Sequence, residues 1–213
     1  MNIIIFGPPG AGKGTQAQNI VNNFNLHQVS TGDLLRIEIK KKTEIGKKIE
    51  QRIAQGDLVS DDIVNELLKK VITNYNYRNR IIFDGYPRNI NQAESLEIML
   101  NGDNQSINFV LFLKVTQEII EKRILGRIIC EKCNKTMNKY FNKKEIDNHE
   151  CGKNYLKKRK EDNQETIIIR YEEYIKKTKP VLGFYSSRSC FHEIDGSEKI
   201  QAITGKIQQI LKV

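Results

Sequence analysis

Lys13 lies in the stretch GPPGAGKGT (7–15), which also holds Gly7, Gly10, Gly12 and Gly14. The stretch matches G-x-x-x-x-G-K-[ST], except that Gly14 stands at the usual hydroxyl position and Thr15 follows it. Glycines let successive backbone N–H groups curl around an anion, and a helix N-terminus adds partial positive charge. A lysine placed here reaches the outer phosphates of a nucleoside triphosphate. The chemistry that suits this loop is triphosphate binding. A chance glycine-rich turn is the alternative, but such a turn need not lie between an apolar strand and an amphipathic helix, as this one does.

Two arginines suit a second anion. Arg36 closes STGDLLR (30–36), Arg88 falls in FDGYPRNINQ (83–92), and each segment follows a short apolar run. A guanidinium fork meets phosphate with two parallel N–H donors. Beside a phosphate loop, two forks suit a second phosphate; elsewhere they would be ordinary surface ion pairs. Asp84, at a strand end, could hold Mg²⁺ through water. Thr31 offers a hydroxyl, and Gln92 an amide able to pair with an adenine edge.

A third cluster is metal-like. Cys130 and Cys133 form C-x-x-C, and a 17-residue spacer separates them from Cys151, within the range of a zinc ribbon. Asn154 stands where a fourth cysteine was due. His149 is the best substitute, because residues i and i+2 of an extended segment face the same side, and zinc accepts Cys₃His. Asp147 is the reserve ligand, and a metal-free segment held by packing and hydrogen bonds is the alternative.

These residues need a scaffold that gathers strand ends. NIIIF (2–6), HQVS (27–30), RIIFDG (80–85), NFVLFLKV (108–115) and CFHEID (190–195) read as short strands. Between them the pattern predicts helices over 13–24, from about 33, over 46–55, 61–74, 89–99 and 117–127, from 164 with a bend or stop at Pro180, and from 197. The stretch 128–160 loses helical periodicity. Alternating strands and helices predict an α/β fold, a parallel sheet covered on both faces. In such sheets ligands gather outside the carboxyl ends of the strands, so the three loops face one crevice.

Composition narrows the rest. No apolar run approaches a membrane span, mean hydropathy is −0.53, and MNIIIF is too short for a signal-peptide core. Four cysteines do not suggest a disulfide framework, so the expected location is the cytoplasm or a similarly reducing compartment. The net charge of +9 comes mostly from scattered lysines, read as solvated surface. A nucleic-acid module would need a basic patch with exposed aromatics; Tyr140, Phe141 and Tyr155 are read instead as packing a small core. Cys190, His27 and His192 are read as structural.

The segments GPPGAGKGT, STGDLLR, GDLV (56–59), DGYPR (84–88), KRILGR (122–127) and KRKEDN (158–163), with Arg170 downstream, together resemble adenylate kinase over essentially the whole chain. The resemblance implies a P-loop fold on a five-stranded parallel sheet and the reaction ATP + AMP ⇌ 2 ADP with Mg²⁺. It implies a core (1–29, 60–121, 161–213), an AMP-binding segment (30–59) and a lid (122–160). It gives the ATP phosphates to Gly10, Ala11, Gly12, Lys13, Gly14 and Thr15, with Thr136 and Glu198 touching ATP. AMP falls to Thr31, Arg36, the backbone of Asp57, Leu58 and Val59, and to Gly85, Arg88 and Gln92. Arg123 and Arg127 would share one helix face over the phosphates, with Arg127 also near the adenine of ATP. Arg159 and Arg170 would close on the transferring group. The lid would carry a zinc clasp, and the enzyme would be a monomer without nucleic-acid or membrane partners. Relatives acting on UMP or CMP carry alanine where this chain has Thr31, which favours AMP over those acceptors. A P-loop ATPase or regulatory switch, the other rival, would lack the second phosphate site.

Overall fold

The computed structural model describes residues 1–212, the side chain of Asn22 apart. Its core is a five-stranded, all-parallel sheet in the order β2-β3-β1-β4-β8, with β1 (Asn2–Phe6) at the centre. The run Ile3, Ile4, Ile5 and Phe6 has no polar face because neither side of this strand meets water. The two-residue period divides it: Ile4 and Phe6 join one apolar cluster, Ile3 and Ile5 the other. On the first side lie α2 (Thr31–Lys40), α3 (Glu44–Gln55), α4 (Asp61–Ile72) and α5 (Ile90–Gly102). The second is covered by α1 (Lys13–Phe24) and α10 (Ile200–Leu211).

The other core strands are β2 (His27–Ser30), β3 (Ile81–Asp84), β4 (Ile107–Lys114) and β8 (Phe191–Asp195). Ser30 pairs with Asp84 and Ile5 with Asp84 in the register, so β1, β2 and β3 end side by side. The phosphate loop, the start of α2 and the segment after Asp84 therefore open onto one crevice, as the strand pattern predicts.

Four features depart from the sequence reading. First, α6 (Gln117–Leu125) stops before Arg127, so Arg123 and Arg127 do not share a helix face. Gly126 is buried, with Tyr140 Cδ2 only 2.6 Å from where a Cβ would stand, and Arg127 opens β5 (Arg127–Cys130). Second, the stretch after it is a small antiparallel sheet, β6-β5-β7, built with β6 (Thr136–Asn138) and β7 (Leu156–Lys157) and carrying one short helix, α7 (Lys143–Asp147). Third, Tyr140, Phe141 and Tyr155 do not fill its core. They are exposed, with Lys139 over the Tyr140 ring and Lys132 over that of Tyr155, while Cys130 and Met137 are buried. Fourth, the last helix starts at Ile200, because Ser197 is held in a turn by hydrogen bonds to Asp195.

After this small sheet, α8 (Gln164–Glu173) passes through a π turn (Tyr174–Thr178) and Pro180 into α9 (Val181–Tyr185). Cys190 packs half-buried on the core just ahead of β8, and His27 stacks on Tyr77 at 3.7 Å between ring centroids. The His192 ring lies 6.0 Å from that of Phe109. All three fit the structural roles expected of them.

Candidate active site

The phosphate loop is shaped by its glycines. Gly12 caps α1 with φ +97°, and Gly10 has φ +78°, left-handed values that an L side chain resists. A Cβ on Gly10 would also stand 2.9 Å from Cγ1 of Ile124. Lys13 turns back across the loop, and its Nζ donates to the carbonyls of Gly7 at 2.8 Å and Pro8 at 2.9 Å. Burial pushes its pKa down to about 7, the nearby Asp84 works in the opposite direction, and Arg88, Arg170 and Arg127 add to the depression. Arg123 reaches the loop from α6, donating to the Ala11 carbonyl at 3.1 Å.

Asp84, buried at the end of β3, accepts from Gln28 Nε2 at 3.0 Å. Burial raises its pKa, and Lys13 opposes that rise. A Cβ on Gly14 would lie 3.2 Å from Asp84 Oδ2, a close approach of loop and carboxylate. Thr15 follows as the third residue of α1.

Two adjoining hollows, one larger than the other, share Leu58, Gly85 and Arg88. The larger reaches Lys13 and Arg170; the smaller is bounded by Thr31, Val59, Tyr86 and Gln92 among others. Thr31 Oγ1 and Arg88 Nε both donate to the Gly85 carbonyl, at 2.9 and 2.8 Å. With φ +74°, Gly85 lets these two side chains meet over bare backbone. Thr178, in the π turn, donates to the Arg88 carbonyl at 2.9 Å. Gln92 accepts from the Arg88 backbone N–H at 2.7 Å. Leu58 and Val59 line the smaller hollow, but Asp57 is exposed and its N–H closes α3 on the Arg52 carbonyl at 3.0 Å.

The remaining arginines are held by carboxylates that the sequence reading did not single out. Arg127 makes a two-pronged pair with Asp162 at 2.7 and 2.5 Å, and Arg170 lies 3.6 Å from the same carboxylate, whose side chain is 1% exposed. Arg36 pairs with Asp33 at 2.5 Å and Glu161 at 3.3 Å, and Arg159 lies 3.9 Å from Asp33. Burial, with Arg127 close by, lowers the pKa of both Arg159 and Arg170 to about 10. The signal was in KRKEDN, where Glu161 and Asp162 follow Arg159 after one lysine; only their spatial partners were invisible. Thr136 and Glu198 stand apart. Thr136, on β6, is paired with Ile129 of β5, Glu198 is tied to Lys206 at 2.7 Å, and among the described residues no hydrogen bond joins either side chain to the phosphate loop.

The cysteine cluster assembles from a strand end and two turns. Cys130 ends β5, Cys133 lies in the turn after it, and His149 and Cys151 come from the bend after α7. One ligand atom from each lies within 4.8 Å of all the others, and Cys133 Sγ is 3.5 Å from His149 Nε2. Tetrahedral zinc–thiolate bonds would set the sulfurs about 3.7 Å apart, so the donors need only a small contraction to close on an ion. Burial opposes ionisation of Cys130, but N–H donors of Cys133 and Lys132 and the His149 ring outweigh it, bringing the thiol to about 6. Cys151 is pushed up to about 11 by burial and by Cys133 and Cys130. Asp147 is engaged by Lys153 at 3.2 Å, and Asn154 lies exposed in the next turn, so His149 is the fourth member.

A family model described as adenylate kinase matches residues 5–190. The adenylate kinase of Pelagibacter ubique strain HTCC1062 is 60% identical over 213 residues, covering all of both chains. That of Erythrobacter litoralis strain HTCC2594 is 40% identical over 217 aligned positions, again covering both chains completely. That of Rickettsia rickettsii strain Sheila Smith is 38% identical, with the same full coverage. With a phosphate loop and a second cationic hollow on one parallel sheet, and with relatives that match from end to end, the chain belongs to the adenylate kinase family.

Proposed function

We propose that this chain carries out ATP + AMP ⇌ 2 ADP with its two hollows as the paired nucleotide sites. The observation that carries the assignment of sites is that Lys13 and Arg88 stand in one continuous crevice, each beside backbone groups shaped by glycine. Gly10–Thr15 hold the donor phosphates. Thr31, Gly85, Arg88 and Gln92, with Leu58 and Val59, hold AMP, and Arg36 reaches its phosphate once freed from Asp33 and Glu161. Asp57 contributes through its carbonyl, since its N–H is taken.

An oxygen of the AMP phosphate attacks the terminal phosphorus of ATP, and the bond from that phosphorus to the bridging oxygen breaks. No proton has to move, so no general base is needed. The protein supplies position and countercharge: Lys13, Arg88, Arg123, Arg159 and Arg170 face the charge that spreads over the transferring oxygens. Arg127 serves the same field from β5. Segments 30–59 and 122–160 act as the AMP-binding part and the lid, and their meeting excludes water, which would otherwise compete as acceptor. Thr136 and Glu198 would touch ATP, Glu198 through its backbone.

Mg²⁺ accompanies ATP, neutralising phosphate charge, and Asp84 would hold it through water, a role that fits a buried carboxylate beside Gly14. Zinc would be held by Cys130, Cys133, His149 and Cys151 as a structural clasp of the lid. The four free cysteines fit a reducing compartment such as the cytoplasm, and no described helix is long and apolar enough to cross a membrane. The enzyme works as a monomer, without nucleic acid or membrane.

The test is ADP formation measured with AMP, CMP, UMP or GMP as acceptor. AMP should be used best by at least about a hundredfold, the scale of discrimination by buried hydrogen bonds. Preference for a pyrimidine monophosphate would overturn the base assignment, and ATP consumption without any acceptor would overturn the paired-site reading.

A further inference from the structure

Gln92 is almost fully buried, and the protein engages both ends of its amide. Its Oε1 accepts from the Arg88 backbone N–H at 2.7 Å, and its Nε2 donates to Asp61 Oδ1 at 2.6 Å. A backbone N–H only donates and a carboxylate only accepts, so these partners allow the amide one orientation. Asp61 is fixed in turn. Asn89 Nδ2 donates to both of its oxygens, at 3.0 and 3.1 Å, and the carboxylate opens α4, where the free N–H groups of the helix favour an anion. Asn89 also caps α5, accepting from the Gln92 N–H at 2.8 Å.

After these bonds Gln92 has one N–H and one lone pair to spare, at the wall of the smaller hollow. Adenine presents the complement: an acceptor at N1 beside a donor amino group at C6. A 6-oxopurine presents the reverse, a donor at N1 and an acceptor at O6. A free glutamine amide would satisfy either edge by turning over about its last bond. Here turning over would set Nε2 against the Arg88 N–H and Oε1 against the Asp61 carboxylate. Both bonds would be exchanged for like-against-like contacts in a buried place.

We propose that Asp61 is a positioning residue that sets base specificity: by preventing turnover of the Gln92 amide, it makes the second site accept adenine and refuse 6-oxopurine monophosphates. It rests on the reading that Gln92 meets the AMP base. Asp61 acts through Gln92 and Asn89, and itself is not among the residues lining the two hollows.

The experiment compares kcat and KM for AMP and for inosine monophosphate, the 6-oxo counterpart, in Asp61→Ala, Asp61→Asn and Gln92→Leu, with thermal unfolding to confirm that each is folded. In Asp61→Ala the ratio of kcat/KM for AMP over inosine monophosphate should fall by about tenfold or more, through KM more than kcat. Asp61→Asn keeps the shape but can offer either an oxygen or an amino group to Gln92, so the ratio should fall by about threefold or more. A residue that merely supports packing would lower both acceptors together, and an unchanged ratio in either folded variant overturns the proposal. Gln92→Leu should level the two acceptors. If it does not, Gln92 does not read the base and the proposal falls with that reading. If it does while both Asp61 variants keep the ratio, the positioning role alone falls.

Discussion

Burial brings the pKa of Lys13 to about 7 from its ordinary 10.5, and Arg88, Arg170 and Arg127 stand close enough to add to the fall. Between those values the unfolded chain holds a proton that the native site does not. The group therefore opposes folding near neutrality, and its penalty fades as pH rises from 7 toward 10.5. Bound phosphate reverses the field and favours the ammonium. At pH 8 nucleotide binding should take up most of one proton, and at pH 6 almost none from this group. Calorimetric titrations with ATP in two buffers of different ionisation enthalpy would show this as buffer-dependent heat at pH 8; equal heats would contradict it. Lys13, Arg88 and Gln92 were legible in the sequence because each sits in a motif whose spacing encodes backbone shape. Asp162 and Asp61 were not, because a carboxylate's importance here lies in which cation or amide it faces, and that depends on chain segments far apart in sequence.

At the level of elements, the strands and most helices follow from apolar periodicity, and Ser30 and Asn89 cap their helices as their types suggest. Two local features escaped that pattern. The end of α6 at Leu125 is imposed by tertiary crowding at Gly126, while the sequence KRILGR continues a plausible helical face. The π turn at 174–178 has no compositional mark, yet it delivers Thr178 to the Arg88 carbonyl. The small sheet was invisible because its strands are two to four residues long and its turns gather around a Cys/His cluster more than around an apolar core. His149→Ala should therefore lower zinc content below one ion per chain and lower the unfolding temperature of the segment, with stability loss of several kcal/mol at most. Metal analysis of protein purified without chelator checks it. No stoichiometric zinc in the unaltered protein would reject the clasp.

Across the whole molecule, the segment proposed to bind AMP meets the chain at the boundary between the proposed lid and the core through charge: Arg36 with Glu161, the first core residue, and Arg159 with Asp33. Under the proposed assignment these carboxylates occupy arginines that would meet phosphate, so AMP binding would displace them. Glu161→Gln removes one competitor for Arg36. The pair is partly exposed and worth about 1 kcal/mol or less, so KM for AMP should fall by about two- to fivefold. An unchanged or raised KM would mean that Glu161 helps to hold Arg36 in place for AMP. The five-stranded sheet and the common crevice were readable from strand and helix alternation alone, whereas this meeting of two segments depends on long-range docking that no local pattern records.

The packing of α6 against the phosphate loop has a mechanical meaning. Ile120 and Ile124 close on Gly10, and Arg123 grips the Ala11 carbonyl, one turn before the chain enters the small sheet at Arg127. Under the proposed lid role, α6 is the fixed post of a hinge whose pin is Gly126. The cover then swings without dragging the cradle, and the triphosphate finds the same seat whether the door above it stands open or shut.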